Sequence, residues 1–290
     1  MKNVCAIVVT FNRKELLEEC IENLLGQSRP IDKILVVDNA STDGTPEMVK
    51  DKFPMVELLA LKDNVGGAGG FFAGMKWAHE NKYEWLWILD DDTMANENAL
   101  EEFMGKYDTF PSEKKPVVLA SKVLWTDGTP HPMNFSVIRN GEYEQSLFAA
   151  EYGTINIRSS SFVSFMINSA MIDKYGLPIK EYFIWNDDAE YSARVLKNEF
   201  GVLCPSSVVI HKTKLKYTPM ESSGDRYYFE IRNKLWMLRT DSFKRKEKIK
   251  IFLFYLINIG KYLKLNKFRP KAFWIVLKGL KDGIRKVRIS

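Results

Sequence analysis

The chain has 290 residues, a hydrophobic fraction of 46% and seven Trp, enough to pack one large α/β unit with an appendage. The net charge of +5 is unevenly spread: residues 241–290 hold 15 Lys/Arg against three acids, and residues 1–240 hold 27 against 34, so only the last fifth is basic. Cys5, Cys20 and Cys204 are odd in number and set in apolar stretches, which argues against a disulfide framework or a zinc site and for reduced thiols in the cytosol.

Val4–Thr10 is a β-branched run and the expected first strand; Lys14–Leu25 follows as an amphipathic helix with Leu16, Leu17, Cys20, Ile21, Leu24 and Leu25 on one face. Ile34–Asp38 is a second strand, after which Thr45 is the expected cap of a helix with Pro46 at its first position. Val56–Leu61 and Trp85–Leu89 are the third and fourth strands, with helices over about 70–81 and 96–107. This alternation predicts a mainly parallel, Rossmann-like sheet with helices on both faces. Val117–Lys122 adds a strand, and Thr126–Asn156 is turn-rich, expected as hairpins or a mobile insert. Phe162–Asn168 is a strand, Asp187–Asn198 a helix, and Val202–Leu203 and Val208–His211 short separate strands. From Asp225 the pattern is helical, over Tyr227–Arg239, Lys246–Leu265 and Pro270–Lys286. The boundary is expected near Tyr217–Gly224, giving units 1–220 and 221–290. The N-terminus carries no charged leader, and Ile251–Ile259, the longest apolar run, is about half of a bilayer span. The expected location is cytoplasmic.

The chemistry concentrates where the buried strand Trp85–Leu89 empties into Asp90-Asp91-Asp92. Adjacent carboxylates repel, and a hard divalent cation, completed by water and substrate phosphates, is one way to offset them. The other strands also end in polar groups, Thr10-Phe11-Asn12-Arg13, Asp38-Asn39 and Asp63-Asn64, and on a parallel sheet those tips share one rim where ligands bind. Asn64-Val65-Gly66-Gly67-Ala68-Gly69-Gly70 suits an anion at a helix N-terminus or a close helix–sheet contact. Phe72 spoils a dinucleotide fingerprint and Met75 a P-loop. Trp185-Asn186-Asp187-Asp188-Ala189-Glu190 offers an acidic helix start, a general-base candidate, beside an aromatic face on which sugar rings pack. His211 closes a strand and is placed to complete a metal shell or touch a phosphate; His79 and His131 receive no role.

Together these segments, with Val37-Asp38-Asn39-Ala40-Ser41-Thr42-Asp43-Gly44, resemble family 2 glycosyltransferases of the GT-A fold, most of all the galactofuranosyltransferase and rhamnosyltransferase branch. The likeness covers about Val4–His211, with weaker similarity over Arg226–Asn233. It implies that Thr10, Asn12, Asp38 and Asn64 hold the base and ribose of a nucleotide sugar, with Arg13 and Gly67 in the same donor-binding set. It implies that Asp90, Asp92 and His211 bind Mn2+ or Mg2+, that Asp91 supports the donor, and that Asp188 is the catalytic base of an inverting transfer. The middle aspartate departs from many relatives, which leaves the division of labour within the triplet open. Trp185 and Asp187 are expected at the acceptor or sugar, and Arg226 and Arg232 at a phosphate. UDP-galactofuranose is the favoured donor and dTDP-rhamnose the second, with a glycan or lipid-linked glycan as acceptor. Competing readings are a metal-dependent nucleotidyltransferase, which would carry a basic phosphate loop near the N-terminus, and a non-catalytic membrane-bound partner of another transferase.

Residues 244–290 interleave cations with Phe252, Phe254, Tyr255, Tyr262, Phe268, Phe273 and Trp274. Ile251–Ile257 is too apolar for an RNA face, so no nucleic-acid partner is expected. The pattern fits attachment to the inner leaflet of a membrane. A homo-oligomer is compatible with the sequence.

Overall fold

Period-two alternation builds the centre of the molecule. In β1 (Val4–Thr10), Val4, Ala6 and Val8 join one core cluster and Cys5, Ile7 and Val9 another. β4 (Trp85–Asp90) divides likewise, with Trp85, Trp87 and Leu89 on one face and Leu86 and Ile88 on the other. Both faces are therefore covered. The first receives α1 (Lys14–Leu25), α2 (Thr45–Lys52) and α4 (Ala99–Thr109); the second receives α3 (Gly66–Glu80) and α7 (Asp187–Val195). The computed structural model describes residues 3–216 and 224–285.

With β2 (Lys33–Asp38), β3 (Glu57–Ala60), β5 (Thr93–Ala95), β6 (Val118–Leu124), β7 (Val137–Ile138), β8 (Ile155–Ser159), β9 (Phe165–Asn168) and β10 (Gly201–His211), the sheet has ten strands. Their order is β3-β2-β1-β4-β9-β6-β10-β8-β7, with β5 paired to β10 off this path. β1 pairs in parallel with β2 and β4, β2 with β3, and β6 with β10. β9 lies antiparallel between β4 and β6, which keeps those two strands in the same sense. The result is a mixed α/β fold around a mostly parallel sheet. The order reverses at β1, whose neighbours β2 and β4 run on to opposite sides, and such a switch point opens a crevice at the carboxyl strand ends. The register aligns the tips there: Thr10 pairs with Asp38 and Val9 with Asp90.

Several boundaries differ from expectation for physical reasons. α3 begins at Gly66 rather than Gly70, because the glycines are themselves its first turn. Gly44, in left-handed backbone at φ 84°, caps α2, and Thr45 is its first helical residue. The two short strands expected at 202–203 and 208–211 are one strand, β10, with an irregular register between Cys204 and Val208. The turn-rich insert contains β7 and a helix, α5 (Tyr143–Glu151), and α6 (Ala170–Tyr175) follows β9.

The C-terminal helices are α8 (Tyr227–Arg239), α9 (Arg245–Leu265) and α10 (Pro270–Ile284). They share a core of Tyr227, Ile231, Tyr255, Tyr262, Ala272, Ile275 and Val276, with the Tyr227 and Tyr262 rings stacked 3.8 Å apart. They also join the sheet domain: Arg158 on β8 binds Glu247 at 2.8 Å, and Ser242 donates to Glu190 at 2.5 Å. The expected boundary at 217–224 falls, apart from Gly224, outside the described residues.

Candidate active site

The acidic triplet is shaped by the short strand that follows it. β5 turns back antiparallel to β10 with Thr93 opposite His211, and the Lys212 amide donates to the Asp92 carbonyl at 2.8 Å. This pairing brings His211, at the end of β10, to a triplet more than a hundred residues earlier. His211 Nε2 lies 2.9 Å from Asp92 Oδ1 and 3.9 Å from Asp90 Oδ2. One ligand atom from each of Asp90, Asp92 and His211 falls within a mutual 4.8 Å. Two ligands on one ion, each bonded at 2.0–2.6 Å, can be up to about 5 Å apart, so the donor set fits a hard divalent cation. The other ring nitrogen, Nδ1, sits 2.9 Å from Asn134 Oδ1. As Asn134 Oδ1 only accepts, Nδ1 carries the proton there and Nε2 faces the carboxylates.

The three aspartates occupy different environments. Asp91 accepts from Thr10 Oγ1 at 2.8 Å and from Arg13 Nη1 at 3.0 Å; the same guanidinium nitrogen reaches Asp92 at 2.6 Å. Burial pushes Asp91 up to about 6, with Arg13 offsetting part of it. Burial acts on Asp92 too, but its bond to His211 and the charges of His211 and Arg13 outweigh it and bring Asp92 down to about 2. Asp90 is half-buried, and burial together with the charge of Asp92 raises it to about 7. Burial disfavours the charged form of His211, yet Asp92 prevails and raises it; Asp91 and Asp92 hold Arg13 above its ordinary value against its own desolvation. Asp90 is thus the member of the triplet least compensated by cationic side chains.

The remaining strand-end residues cross-link the loops above the sheet. Asn12, at φ 52°, accepts from the Thr42 amide at 2.8 Å while its own amide donates to Ser41 at 2.9 Å. Asp38 accepts from the Ser41 amide at 3.1 Å through Oδ2, and its buried Oδ1 has no partner among the described residues. Asn64 is exposed and accepts from the Gly66 amide at 2.9 Å. Gly66 sits at φ 74°, and a Cβ there would overlap the Phe183 carbonyl, which also accepts from the Ala68 amide at 3.1 Å. A Cβ on Gly70 would press on Val9 and Asn39. The packing role foreseen for the glycine segment thus holds at these two positions, whereas Gly67 has only the Phe71 ring, 3.9 Å from its would-be Cβ.

The acid pair sits on a strained approach. Phe183, Trp185 and Asn186 all have positive φ, at 65°, 63° and 67°, conformations that persist only where surrounding contacts over-determine them. α8 supplies those contacts. The amide nitrogen of fully buried Asn233 lies 2.8–2.9 Å from the carbonyls of Tyr182, Ile184 and Trp185. Glu230 accepts from Asn186 at 2.7 Å. Arg232 donates to the Glu181 and Tyr182 carbonyls at 2.9 Å and lies over the Trp236 ring. Its guanidinium is therefore committed to the loop rather than free for the phosphate role expected of it. Arg226 is exposed, 5.8 Å above the Trp185 ring.

Burial, and next the charge of Asp188, raise Asp187 well above the usual carboxylate range, with Asp90 among the further contributors. Asp188 is half-buried; burial raises it, while the Ala189 amide, donating at 2.7 Å, and the charge of Lys234 draw it down. Sequence reasoning missed Asn134 and the clamping role of Glu230 and Asn233, since no local pattern announces a contact 44–77 residues away.

The model of the family described as "Glycosyl transferase family 2" matches residues 5–165, more than half of the chain and all of the triplet. The chain belongs to glycosyl transferase family 2. This member is therefore a glycosyltransferase. It is 24% identical over 293 residues to galactofuranosyltransferase GlfT1 of Mycobacterium tuberculosis (strain ATCC 25618 / H37Rv), covering 94% of this chain and 92% of the relative. It is 22% identical over 238 residues to the N-acetylglucosaminyl-diphospho-decaprenol L-rhamnosyltransferase of the same strain, covering 71% and 74%. The fold matches the crystal structure of S. aureus TarS 1-349 in complex with UDP-GlcNAc with a TM-score of 0.63, at 16% identity, over 97% of this chain and 80% of that one. The fold is that of the GT-A glycosyltransferases.

Proposed function

We propose that this family 2 enzyme is an inverting, cation-dependent glycosyltransferase that moves a sugar from a nucleotide diphosphate donor to a hydroxyl of a lipid-linked glycan. The observation that carries the reading is the meeting of Asp90, Asp92 and His211 within 4.8 Å at the carboxyl rim of the sheet. Asp90, Asp92 and His211 would hold Mn2+ or Mg2+, whose chemistry is to offset charge building on the departing diphosphate. Arg13, bridging Asp91 and Asp92, keeps the triplet from repelling an anionic donor before it is seated. Thr10 orients Asp91 on the donor side, and the unpartnered Oδ1 of Asp38 supports a base or ribose contact at the β2 tip. Asp187, buried beside Asp188 and raised by that burial and by the Asp188 charge, is placed at the acceptor or sugar. Asp188, tied to the Ala189 amide, takes the acceptor proton as the acceptor oxygen attacks the anomeric carbon. Trp185, flanked by Arg226, offers a flat face for a sugar ring.

The GlfT1 relative supports UDP-galactofuranose as donor, and the rhamnosyltransferase relative makes dTDP-rhamnose the second choice. The latter's name carries a lipid diphosphate acceptor, which supports a lipid-linked acceptor met at the inner face of a membrane. No helix among the described residues is long and apolar enough to cross a membrane, so the attachment proposed is peripheral. Asp188→Asn tests the chemistry. General-base help is typically worth about 10²–10⁴ in rate, so transfer should fall by that factor with donor affinity unchanged by calorimetry. Wild-type turnover in the variant would remove Asp188 from the mechanism.

A further inference from the structure

We infer that the outward face of α9 is a bilayer-docking surface whose occupant is a leaflet rich in anionic phospholipid headgroups. The inference deepens the membrane-proximal part of the proposed function. The helix presents apolar side chains on two faces. Its inward face, with Tyr255, Tyr262 and partly buried Ile259 and Leu263, belongs to the C-terminal core. Its outward face carries Ile249, Phe252, Leu253, Leu256 and Ile257, between 44% and 54% exposed, and Phe254 at 65%. Residues 249, 252, 253, 256 and 257 follow i, i+3, i+4, i+7 and i+8, a single helical row about 12 Å long. None of the five belongs to the C-terminal core, and a contiguous apolar row exposed to water marks an interaction surface.

Charge identifies the occupant. Lys246 and Lys264, seven residues before and eleven after Leu253, continue the same row at either end and are both exposed. Lys250 and Lys261 flank it. The single acid of α9, Glu247, is turned inward to Arg158 at 2.8 Å, so every charged side chain on the outward face is a cation. The turn into α10 adds exposed Phe268, whose ring is 6.4 Å from that of exposed Phe273, and Trp274 follows beside Lys278. A second copy of the chain would bring like charges face to face, and a nucleic acid would leave the aliphatic row wet. A helix lying in the headgroup region buries the row in acyl chains while its lysines reach the phosphates.

Flotation of the full chain tests this, with phosphatidylcholine vesicles made with or without roughly one-third phosphatidylglycerol. The wild-type chain should float with the anionic vesicles and at least about tenfold less well with the neutral ones. The triple variant Leu253→Gln, Phe254→Gln, Ile257→Gln should keep its circular dichroism and donor hydrolysis but lose at least about tenfold in vesicle affinity. Lys246→Gln with Lys264→Gln should weaken anionic-vesicle binding about 25-fold, at about fivefold per cation, and leave neutral-vesicle binding unchanged. The inference is overturned if the wild-type chain fails to float with anionic vesicles at low salt, or if the triple variant floats as well as wild type. It is also overturned if light scattering shows that variant dissociating an oligomer, which would make a second copy the occupant. Vesicle binding needs no turnover, so Asp188→Asn should float like wild type, and failure of the chemistry stays separate from failure of the surface.

Discussion

Replacing Asn233 with Ala should disable the enzyme from a position outside the proposed cation site. The variant deprives the carbonyls of Ile184 and Trp185 of their shared donor group in a fully buried setting, while the Tyr182 carbonyl keeps Arg232 and the Ile184 amide. An amide supplies two N–H groups, each worth about 1 kcal/mol net, and buried carbonyls left unpaired cost about 1–3 kcal/mol. A loss of roughly 2–4 kcal/mol follows, which for a domain of this size lowers Tm by about 5–15 °C. The same contacts hold Phe183, Trp185 and Asn186 at positive φ, at a conformational cost of about 1–3 kcal/mol per residue. Without the clamp that loop relaxes and carries the start of α7 with it. A displacement of about 1 Å at Asp188 is enough to cost about 10²-fold in kcat. Donor and Mn2+ affinities should stay within about twofold, because Asp90, Asp92 and His211 share no partner with Asn233. Steady-state transfer kinetics, calorimetry and a thermal melt separate these effects. A variant that melts lower yet keeps wild-type kcat below its transition would refute the clamp as a positioning device and leave it a purely structural one.

Asn134→Ala removes the acceptor that fixes the His211 ring, and titration with Mn2+ should show affinity reduced about 10–100-fold, the usual effect of losing such a partner. His131 is buried, and burial followed by the nearby His211 charge brings it down to about 4, so the folded protein holds it neutral while the unfolded chain protonates it near its ordinary 6.5. The stability this secures is complete above pH 6.5 and lost as pH falls from 6.5 towards 4, amounting to about 1–2 kcal/mol by pH 5. Thermal melts at pH 7.5 and pH 5 should therefore diverge more for wild type than for His131→Asn; an equal divergence would remove His131 from the acid response. His211, raised, works in the opposite sense and is present in both proteins.

Elements whose signal is local were legible in the sequence. The bounds of β1 and α1 follow directly from a β-branched run and a clean apolar stripe, and the triplet's place at a strand end follows from the apolar run before it. Helix propensity misplaced the start of α3, because a glycine-rich segment reads as a loop; here the close approach of Phe183, Val9 and Asn39 makes glycine the residue that fits a helix. β10 was read as two strands because Pro205 and two serines interrupt its apolar pattern, whereas pairing with β6 on one side and β8 and β5 on the other carries it through. His211 could be singled out as a lone histidine ending a strand, but its meeting with Asp92 depends on the three residues of β5, too short to announce themselves. Asn134 lies in the insert expected as hairpins or a mobile segment, and the carbonyl partners of Arg232 belong to a loop about fifty residues away in sequence. Side chains that meet backbone carbonyls leave no trace in residue type or spacing.

Anomalous diffraction shows directly where a cation sits relative to the acid pair. A crystal of the full chain grown with Mn2+ and UDP should give a single manganese peak bonded to Asp90, Asp92 and His211, with the nucleotide diphosphate on its open side and Asp188 facing the same space. A peak bonded to other residues, or Asp188 turned away from that space, would contradict the account.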